Sequence, residues 1–592
     1  MVKKFIVGIL CSLGFSFLLL LLFLSFSVYQ LMRPNFAEIK PNTVLELKLE
    51  HNLQERPLSR GFPFQKTSTA SLRDFIDILQ SARQDPNIKG LLVHMEKASF
   101  TGIAQIQELR NSIRAFRKAG KYAIVYNDTF GELSSGMGAY YFASVFDEIW
   151  MQPLGLLNIT GLAVIQPFGR KLLDHLGISP EIETREEYKT AYDFAREPGL
   201  TPANQQATQE MLNSFLKQMV TGIAQERDLS ETAVLDAINQ APIFNLESAV
   251  QDGLIDKVSY KDGVYHHLEQ KLGKDINLIA FHQYPLKQQT SSSSDAKIAV
   301  IFANGMILRE AQKSNFLFSG ASMDTEEITE SLNQAIKDPT IKAIVFRIDC
   351  PGGSPLASDK LWYALKKVRE AKKTLIVSMG DVAASGGYWI ATPANKIVAN
   401  PGTMTGSIGV ILGKIASEKF WENIGVQWDT VQTSPNATIW SMIHPYTLEE
   451  KKWITGMIDH IYQTFIQKVC QGRHLLPEHV QQIAKGRVWT GEQALQWGLV
   501  DVLGDLNTAI ELAKTEAGLS DWEKKTVQIL YLPKPTSLFH QLSLMLGGEL
   551  ALSQVFSQIL NDSWGGMLKQ IQLNISDPNK HLLSTSAITV EH

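Results

Sequence analysis

Two stretches of this chain, 253 positions apart, share one nine-residue pattern, identical at four positions and with apolar or small residues at four of the others. Asp85-Pro86-Asn87-Ile88-Lys89-Gly90-Leu91-Leu92-Val93 recurs as Asp338-Pro339-Thr340-Ile341-Lys342-Ala343-Ile344-Val345-Phe346. Three further matches follow in the same order. Ala139-Tyr140-Tyr141-Phe142-Ala143 pairs with Gly387-Tyr388-Trp389-Ile390-Ala391. Gly161 pairs with Gly406, each after a threonine, and Gly253-Leu254-Ile255-Asp256 pairs with Gly498-Leu499-Val500-Asp501. Their spacings are 248, 245 and 245 residues. An offset that drifts slowly and never jumps is the mark of two homologous domains with short gaps. The 592 residues are in any case too many for one core.

The N-terminus carries a different signal. Lys3-Lys4 precede an uncharged apolar run from Phe5 to Val28, 24 residues. A helix of that length crosses a hydrocarbon core of about 30 Å. The run is longer than a cleaved secretory signal, and Ser25-Phe26-Ser27 is a poor cleavage site. We read residues 1–29 as an uncleaved signal anchor, with the basic pair holding the N-terminus in the cytoplasm and the remaining mass outside it. Leu542–Leu560 is interrupted by Gly547, Gly548, Glu549 and Ser553, and reads as an amphipathic or packing helix. Residues 30–70 form a membrane-proximal connector containing the strand-like Thr43-Val44-Leu45-Glu46-Leu47. The first repeat spans 71–287, a Ser-rich linker 288–296, the second repeat 297–516 and a tail 517–592.

Within each repeat, short apolar runs alternate with amphipathic helices. In the second copy Ala343–Ile348 reads as a buried strand, and Leu361, Leu365 and Val368 recur at helical spacing. Thr374–Ser378 and Lys396–Ala399 are strands again. The alternation predicts an α/β fold with crossover helices. A net charge of −4 gives no hint of nucleic-acid binding. Cys11, Cys350 and Cys470 are the only cysteines, and Cys11 lies in the apolar run, so the domains hold at most one disulfide. No cysteine spacing makes a zinc site, and no His-Glu-x-x-His segment occurs.

The copies differ where chemistry would sit. Only the second continues into Asp349-Cys350-Pro351-Gly352-Gly353-Ser354 and Ala383-Ala384-Ser385-Gly386-Gly387. Paired glycines after a strand let a ligand approach the backbone and leave N–H groups to receive a developing oxyanion. Small neighbours on both sides of Ser385 would admit a substrate carbonyl. A helix starting just after it would aim the Gly386 N–H at negative charge. Position 383 is alanine, so this is not a Gly-x-Ser-x-Gly elbow. A serine nucleophile needs a base. None of the 13 histidines has a motif-like setting. A spatially assembled Ser-His-Asp triad and a buried, neutral lysine both remain open at this level.

Ala384-Ser385-Gly386-Gly387-Tyr388, Pro351-Gly352-Gly353-Ser354, Thr405-Gly406-Ser407-Ile408-Gly409 and Val488-Trp489-Thr490-Gly491 together resemble the signal peptide peptidase A (protease IV) family in its long, two-copy form. The resemblance runs from the anchor to about residue 530. It implies two tandem Clp/crotonase-like domains and a Ser–Lys dyad that needs no metal, nucleotide or other cofactor. The family's serine maps to Ser385. Its Tyr-Lys-[Ser/Thr]-Ala segment appears as Tyr188-Lys189-Thr190-Ala191, which makes Lys189 the base. Gly353 and Gly386 would supply the oxyanion N–H groups. The repeat supports this division. The residue 245 after Lys189 is Ser434, and the residue 248 before Ser385 is Met137. Neither copy keeps both members of the dyad, so a working site must be assembled across copies.

The resemblance further implies a single-pass protein of the bacterial cytoplasmic (inner) membrane, with its domains on the periplasmic side. Its partners would be peptides, namely remnant signal peptides, met in a groove of small and aliphatic residues near Ser385, and further copies of itself in a ring-like homo-oligomer. Two other readings stand beside a serine endopeptidase. The glycine loops also suit a crotonase-type acyl-CoA hydratase or hydrolase, although CoA esters are scarce outside the cytoplasm. A duplicated, partly degenerate chain could also be a non-catalytic membrane scaffold.

Overall fold

The computed structural model describes residues 37–50, 53–55, 71–96, 98–286, 296–309, 322–519 and 527–533. The anchor expected over 5–28, most of the linker and the tail beyond 533 lie outside the described residues. Among the described residues, no helix is long and apolar enough to cross a membrane.

The first copy builds its sheet from β1 (Thr43–Lys48), β2 (Ile88–His94), β3 (Tyr122–Asn127), β4 (Glu148–Met151), β6 (Lys257–Val258) and β7 (Asn277–Ala280). A further strand, β5 (Ser179–Arg185), leaves that sheet. Helices α1 (Leu72–Ala82), α2 (Ile103–Lys118), α3 (Met137–Ala143), α4 (Pro202–Arg227) and α5 (Lys261–Leu272) cross between or cover the strands. The strand order is β6-β4-β3-β2-β1-β7, all parallel. Buried on both faces, β2 and β3 read as continuous apolar runs rather than alternating ones.

The second copy repeats the plan. Its strands are β8 (Lys297–Asn304), β9 (Ile341–Cys350), β10 (Thr374–Ala384), β11 (Lys396–Ala399), β12 (Met404–Gly406), β13 (Val410–Ala416), β14 (Val488–Thr490), β15 (Val502–Leu503) and β16 (Gln528–Leu532). Its helices include α6 (Thr325–Lys337), α7 (Pro355–Glu370), α8 (Gly386–Ala391), α9 (Leu448–Arg473) and α10 (Leu506–Glu516). The order β15-β11-β10-β9-β8-β16 matches the first sheet strand for strand, with β12 and β14 added beside the far end of β10.

Two details extend the sequence reading. The strand placed in the connector is β1, between β2 and β7 in the first sheet, because it is the counterpart of β8. Residues 528–532, placed in the tail, form the edge strand β16, counterpart of β7.

The repeated residues have repeated jobs. The Tyr140 hydroxyl donates to Leu254 O at 2.7 Å, and Tyr388 donates to Leu499 O at 2.9 Å. Asp256 accepts from Ile149 N–H and Asp501 from Ile397 N–H, at 2.7 and 2.8 Å. Arg227 and Arg473, each ending a 26-residue helix, ion-pair with those aspartates. Gly161 and Gly406 share a left-handed φ of +79° and +78°. Three of the four sequence matches therefore mark structural points common to both cores.

The copies are joined in two ways. Helix α2 packs on β10, with Gly402 N–H donating to Gln107 Oε1 and Asn400 Nδ2 to Glu108 Oε1, both at 2.8 Å. Then β5, from the first copy, pairs antiparallel with β13, from the second, over seven residues from Arg185↔Val410 to Ser179↔Ala416.

Candidate active site

The β5–β13 ribbon explains how a residue of the first copy reaches the second. Beyond Arg185 the chain runs past the start of β13, towards residues 406–409. Four residues on stands Lys189, with its Nζ 3.0 Å from Ser385 Oγ. Lys189 and Ser385 are 196 residues apart in one chain. The lysine is 6% exposed despite its charged sequence neighbours. Those neighbours turn outward: Arg185 pairs with Asp459 at 2.6 Å and Glu187 with Lys485 at 3.0 Å. The loop before β14 closes over the lysine, and a Cβ on Gly486 would lie 2.6 Å from Lys189 N and Cβ.

Ser385 sits in the turn from β10 into α8, with φ +55° and ψ −120°. A non-glycine residue held at positive φ stores strain, and such residues cluster at functional sites. Its N–H donates to Gly406 O at 2.9 Å. Lys189 has two further partners, both on Ser407: the hydroxyl oxygen at 2.8 Å and the carbonyl at 3.0 Å. Ser407, also at positive φ (+50°), is tied by its N–H to Arg487 O at 2.7 Å. The sequence reading quoted Ser407 within a motif but gave it no role. Its adjacency to a glycine at a strand end was the available signal.

The glycine turn lies against the serine. Gly352 and Gly353 have φ of +115° and +146°, and a Cβ on Gly353 would sit 2.1 Å from Ile307 O. Only glycine fits there. The Gly352 N–H is used on Cys350 Sγ and the Ser354 N–H on Ile307 O, while the Gly353 N–H meets no acceptor among the described residues. A Cβ on Gly386 would lie 3.2 Å from Gly353 N, so the two candidate oxyanion donors are adjacent.

Electrostatics sorts the candidate nucleophiles and bases. Desolvation by burial drops the Lys189 ammonium from 10.5 to about 7, so a large neutral fraction exists near neutral pH. Burial pushes the Cys350 thiol up to about 12, which removes it as a rival nucleophile. Cys350 and Cys470 are free thiols, so the allowed disulfide is not formed. No histidine bonds to Ser385 among the described residues. A cavity of about 320 Å³ opens beside the lysine, lined by Glu186, Glu187, Asp193, Arg196 and Glu197. Thr184, Thr201, Pro202 and Ala203 complete its lining.

The model of peptidase family S49 matches residues 115–275 and 367–520, one segment in each copy. The first segment contains Lys189 and the second Ser385 and Ser407. The chain is 32% identical to protease 4 of Salmonella typhi over 81% of its length and 77% of that protein. It is 29% identical to the chloroplastic serine protease SPPA of Arabidopsis thaliana, over 85% and 73%. With protease 4 of Haemophilus influenzae the identity is 30%, over 74% and 72%. Matched in both halves of its duplicated α/β fold, this chain belongs to peptidase family S49 and is a serine protease.

Proposed function

We propose that the chain is a membrane-anchored endopeptidase working through a Ser385–Lys189 dyad assembled within one chain from both copies. The observation that carries this is the 3.0 Å approach of Lys189 Nζ to Ser385 Oγ in a buried setting. Neutral Lys189 takes the Ser385 proton as Oγ attacks the peptide carbonyl carbon. The carbonyl oxygen becomes an oxyanion received by the N–H groups of Gly353 and Gly386. The protonated lysine passes its proton to the departing amine, leaving an acyl ester on Ser385. Water, deprotonated by Lys189, then releases the acid and restores the serine. Ser407 holds the Nζ on line. The substrates are extended apolar peptides, with signal peptide remnants favoured by a relative named as a putative signal peptide peptidase; the apolar run at residues 5–28 we read as the anchor in the inner membrane.

A homo-oligomer fits the same reading. The segments 162–168 and 427–433 stand 248 residues from β13 and β5, the spacing of the two tyrosines, yet belong to no strand. Ile165 and Val431 within them are 96% and 102% exposed. Placing 427–433 of one chain on 162–168 of the next would repeat the β5–β13 ribbon between chains.

The test uses full-length protein in detergent and a fluorogenic peptide. Ser385→Ala and Lys189→Ala should each abolish turnover, and a serine-directed acylating probe should label wild type only. Mixing the two variants should restore nothing, because both partners come from one chain. Wild-type-like turnover in either variant would sink the assignment.

A further inference from the structure

A second set of titratable groups lies between the copies, on the strands that lead to the site, and the proposed chemistry does not use it. Arg347 and Asp349 come from β9, Asp381 from β10, Glu108 from α2, and Glu55 from the stretch ahead of α1. Arg347 is 1% exposed. It forks onto Glu55 at 2.8 and 3.0 Å and reaches Glu108 Oε1 at 2.7 Å. Its remaining bonds go to Ser378 Oγ and Met379 O. These pairs tie the second copy to the first.

Asp381 ties them again. Helix α2 begins at Gly102, which has no side chain to cap it. Asp381 caps it from the other copy, accepting from Gln105 N–H at 2.9 Å and Thr101 Oγ1 at 2.5 Å. The fit is close, since a Cβ on Gly102 would stand 2.5 Å from the Asp381 carboxyl carbon. Asp349 acts within the second copy. Its Oδ1 accepts from Val382 N–H at 3.0 Å. That bond spans the irregularity where β9 and β10 change register: Ile348 faces Met379, but Cys350 faces Ala383. Four residues after Asp349 comes Gly353, and four after Asp381 comes Ser385.

The charges do not balance. Four carboxyls face one guanidinium, and no second cation ion-pairs with any of them among the described residues. Asp505, the N-cap of α10, adds negative potential at Glu108. The other facing groups, Thr101, Gln105, Ser378 and Asn400, are neutral. A buried excess of like charge is relieved by taking up protons. Burial, then the Asp381 and Glu55 charges, push Asp349 up to about 8; burial takes Glu108 up to about 7 and raises Asp381. Thr101 and Gln105 favour the charge on Asp381, and the Val382 N–H favours it on Asp349. A folded-state pKa raised above its unfolded value gives stability that is lost as pH rises through the folded value. The contact is therefore weakest above about pH 8.

We propose that Asp349 and Asp381 are positioning residues that couple docking of the two copies to alignment of Ser385 with the Gly353 turn, and that this coupling fails when all four carboxyls are charged. The inference rests on Ser385 as nucleophile. The activity profile then has two limbs of separate origin: an acid limb from Lys189 and an alkaline limb from the carboxyl cluster.

The test is kcat/KM from pH 5.5 to 10 for the full-length protein, each profile scaled to its own maximum, with Tm recorded at every pH. Wild type should fall at least about fivefold between pH 8 and 9.5, and Asp349→Asn less than about twofold. The asparagine keeps an oxygen for Val382 N–H and carries no charge. The acid limb should stay put. A flat wild-type profile above pH 8, or an Asp349→Asn limb coincident with wild type, overturns the inference. If Asp349→Asn does not fold, Glu108→Gln removes one charge from the cluster without touching the register change. With one carboxyl gone the four-charge state cannot form, so its alkaline fall should shrink to less than about twofold, and a fall as deep as wild type's overturns the proposal. Turnover by Ser385→Ala would instead sink the nucleophile assignment; an inactive Ser385→Ala beside an unmoved limb sinks only the present inference.

Discussion

At the third strand of each sheet the chain turns into a short helix that opens the same way, yet the two turns are built differently. In the first copy β3 stops at Asn127, a loop follows, and Met137 begins α3 as a 1%-exposed core residue. In the second copy the strand is 11 residues long, changes register near Asp349, and delivers Ser385 directly into α8. The reverse holds after the fourth strand. The first copy forms β5, which ends at Arg185, four residues before Lys189; the second has no strand over 427–433 and a serine rather than a lysine at 434. On the proposed chemistry, equivalent scaffolds have kept complementary halves of one reaction, and the core positions that define the repeat are not those that define the site.

The division is broken most directly by moving the nucleophile. Ser385→Ala should lower kcat/KM by roughly 10⁴-fold or more, and adding Met137→Ser should recover none of it, because Met137 is buried in the first core. Recovery in a peptide-hydrolysis assay would mean that the first copy holds a latent site. The next effect is on docking. Arg347→Leu leaves Glu55 and Glu108 buried without their cation, and should cost about 3–5 kcal/mol by chemical denaturation. A cost under about 1 kcal/mol would mean that the copies do not depend on this contact.

Lys189 offers a test of burial itself. Its folded pKa, about 7, lies below the unfolded 10.5, so between those values the unfolded chain carries the extra proton. Wild-type stability should therefore rise with pH by about 1.4 kcal/mol per unit across that window, relative to Lys189→Met. Parallel stability curves for the two proteins would contradict a buried neutral lysine. The same neutral form sets activity, which should fall as pH drops through about 7. Ser407→Ala should cut kcat by about 10–100-fold with KM little changed, since it aims the lysine without touching substrate. An equal effect on KM would make it a binding residue. Smallest on activity should be Val431→Asp, seen chiefly as a lower mass in light scattering.

Much of this was readable from the chain because it was written twice. Paired motifs gave the α/β alternation and the duplication, and the absence of a serine at 137 and a lysine at 434 pointed to a divided site. What escaped had no local pattern. β5 reads as Ser179-Pro180-Glu181-Ile182-Glu183-Thr184-Arg185, a solvated surface by composition; its role comes from a partner 225 to 237 residues away in β13. Ser407 looks like a turn serine until Lys189 arrives beside it. Arg347 was visible inside an otherwise apolar strand, and a buried charge requires a partner, but Glu55 and Glu108 lie 292 and 239 residues away.

The β5–β13 ribbon also has a consequence in time. On the proposed chemistry, the ribosome makes Lys189 first and Ser385 196 residues later. Ser407 is fixed only when Arg487 has emerged. A half-made chain, or a fragment holding either half, carries one electrode of a circuit that is not yet closed. The gene order itself keeps the peptidase unarmed until nearly the whole of its folded body exists.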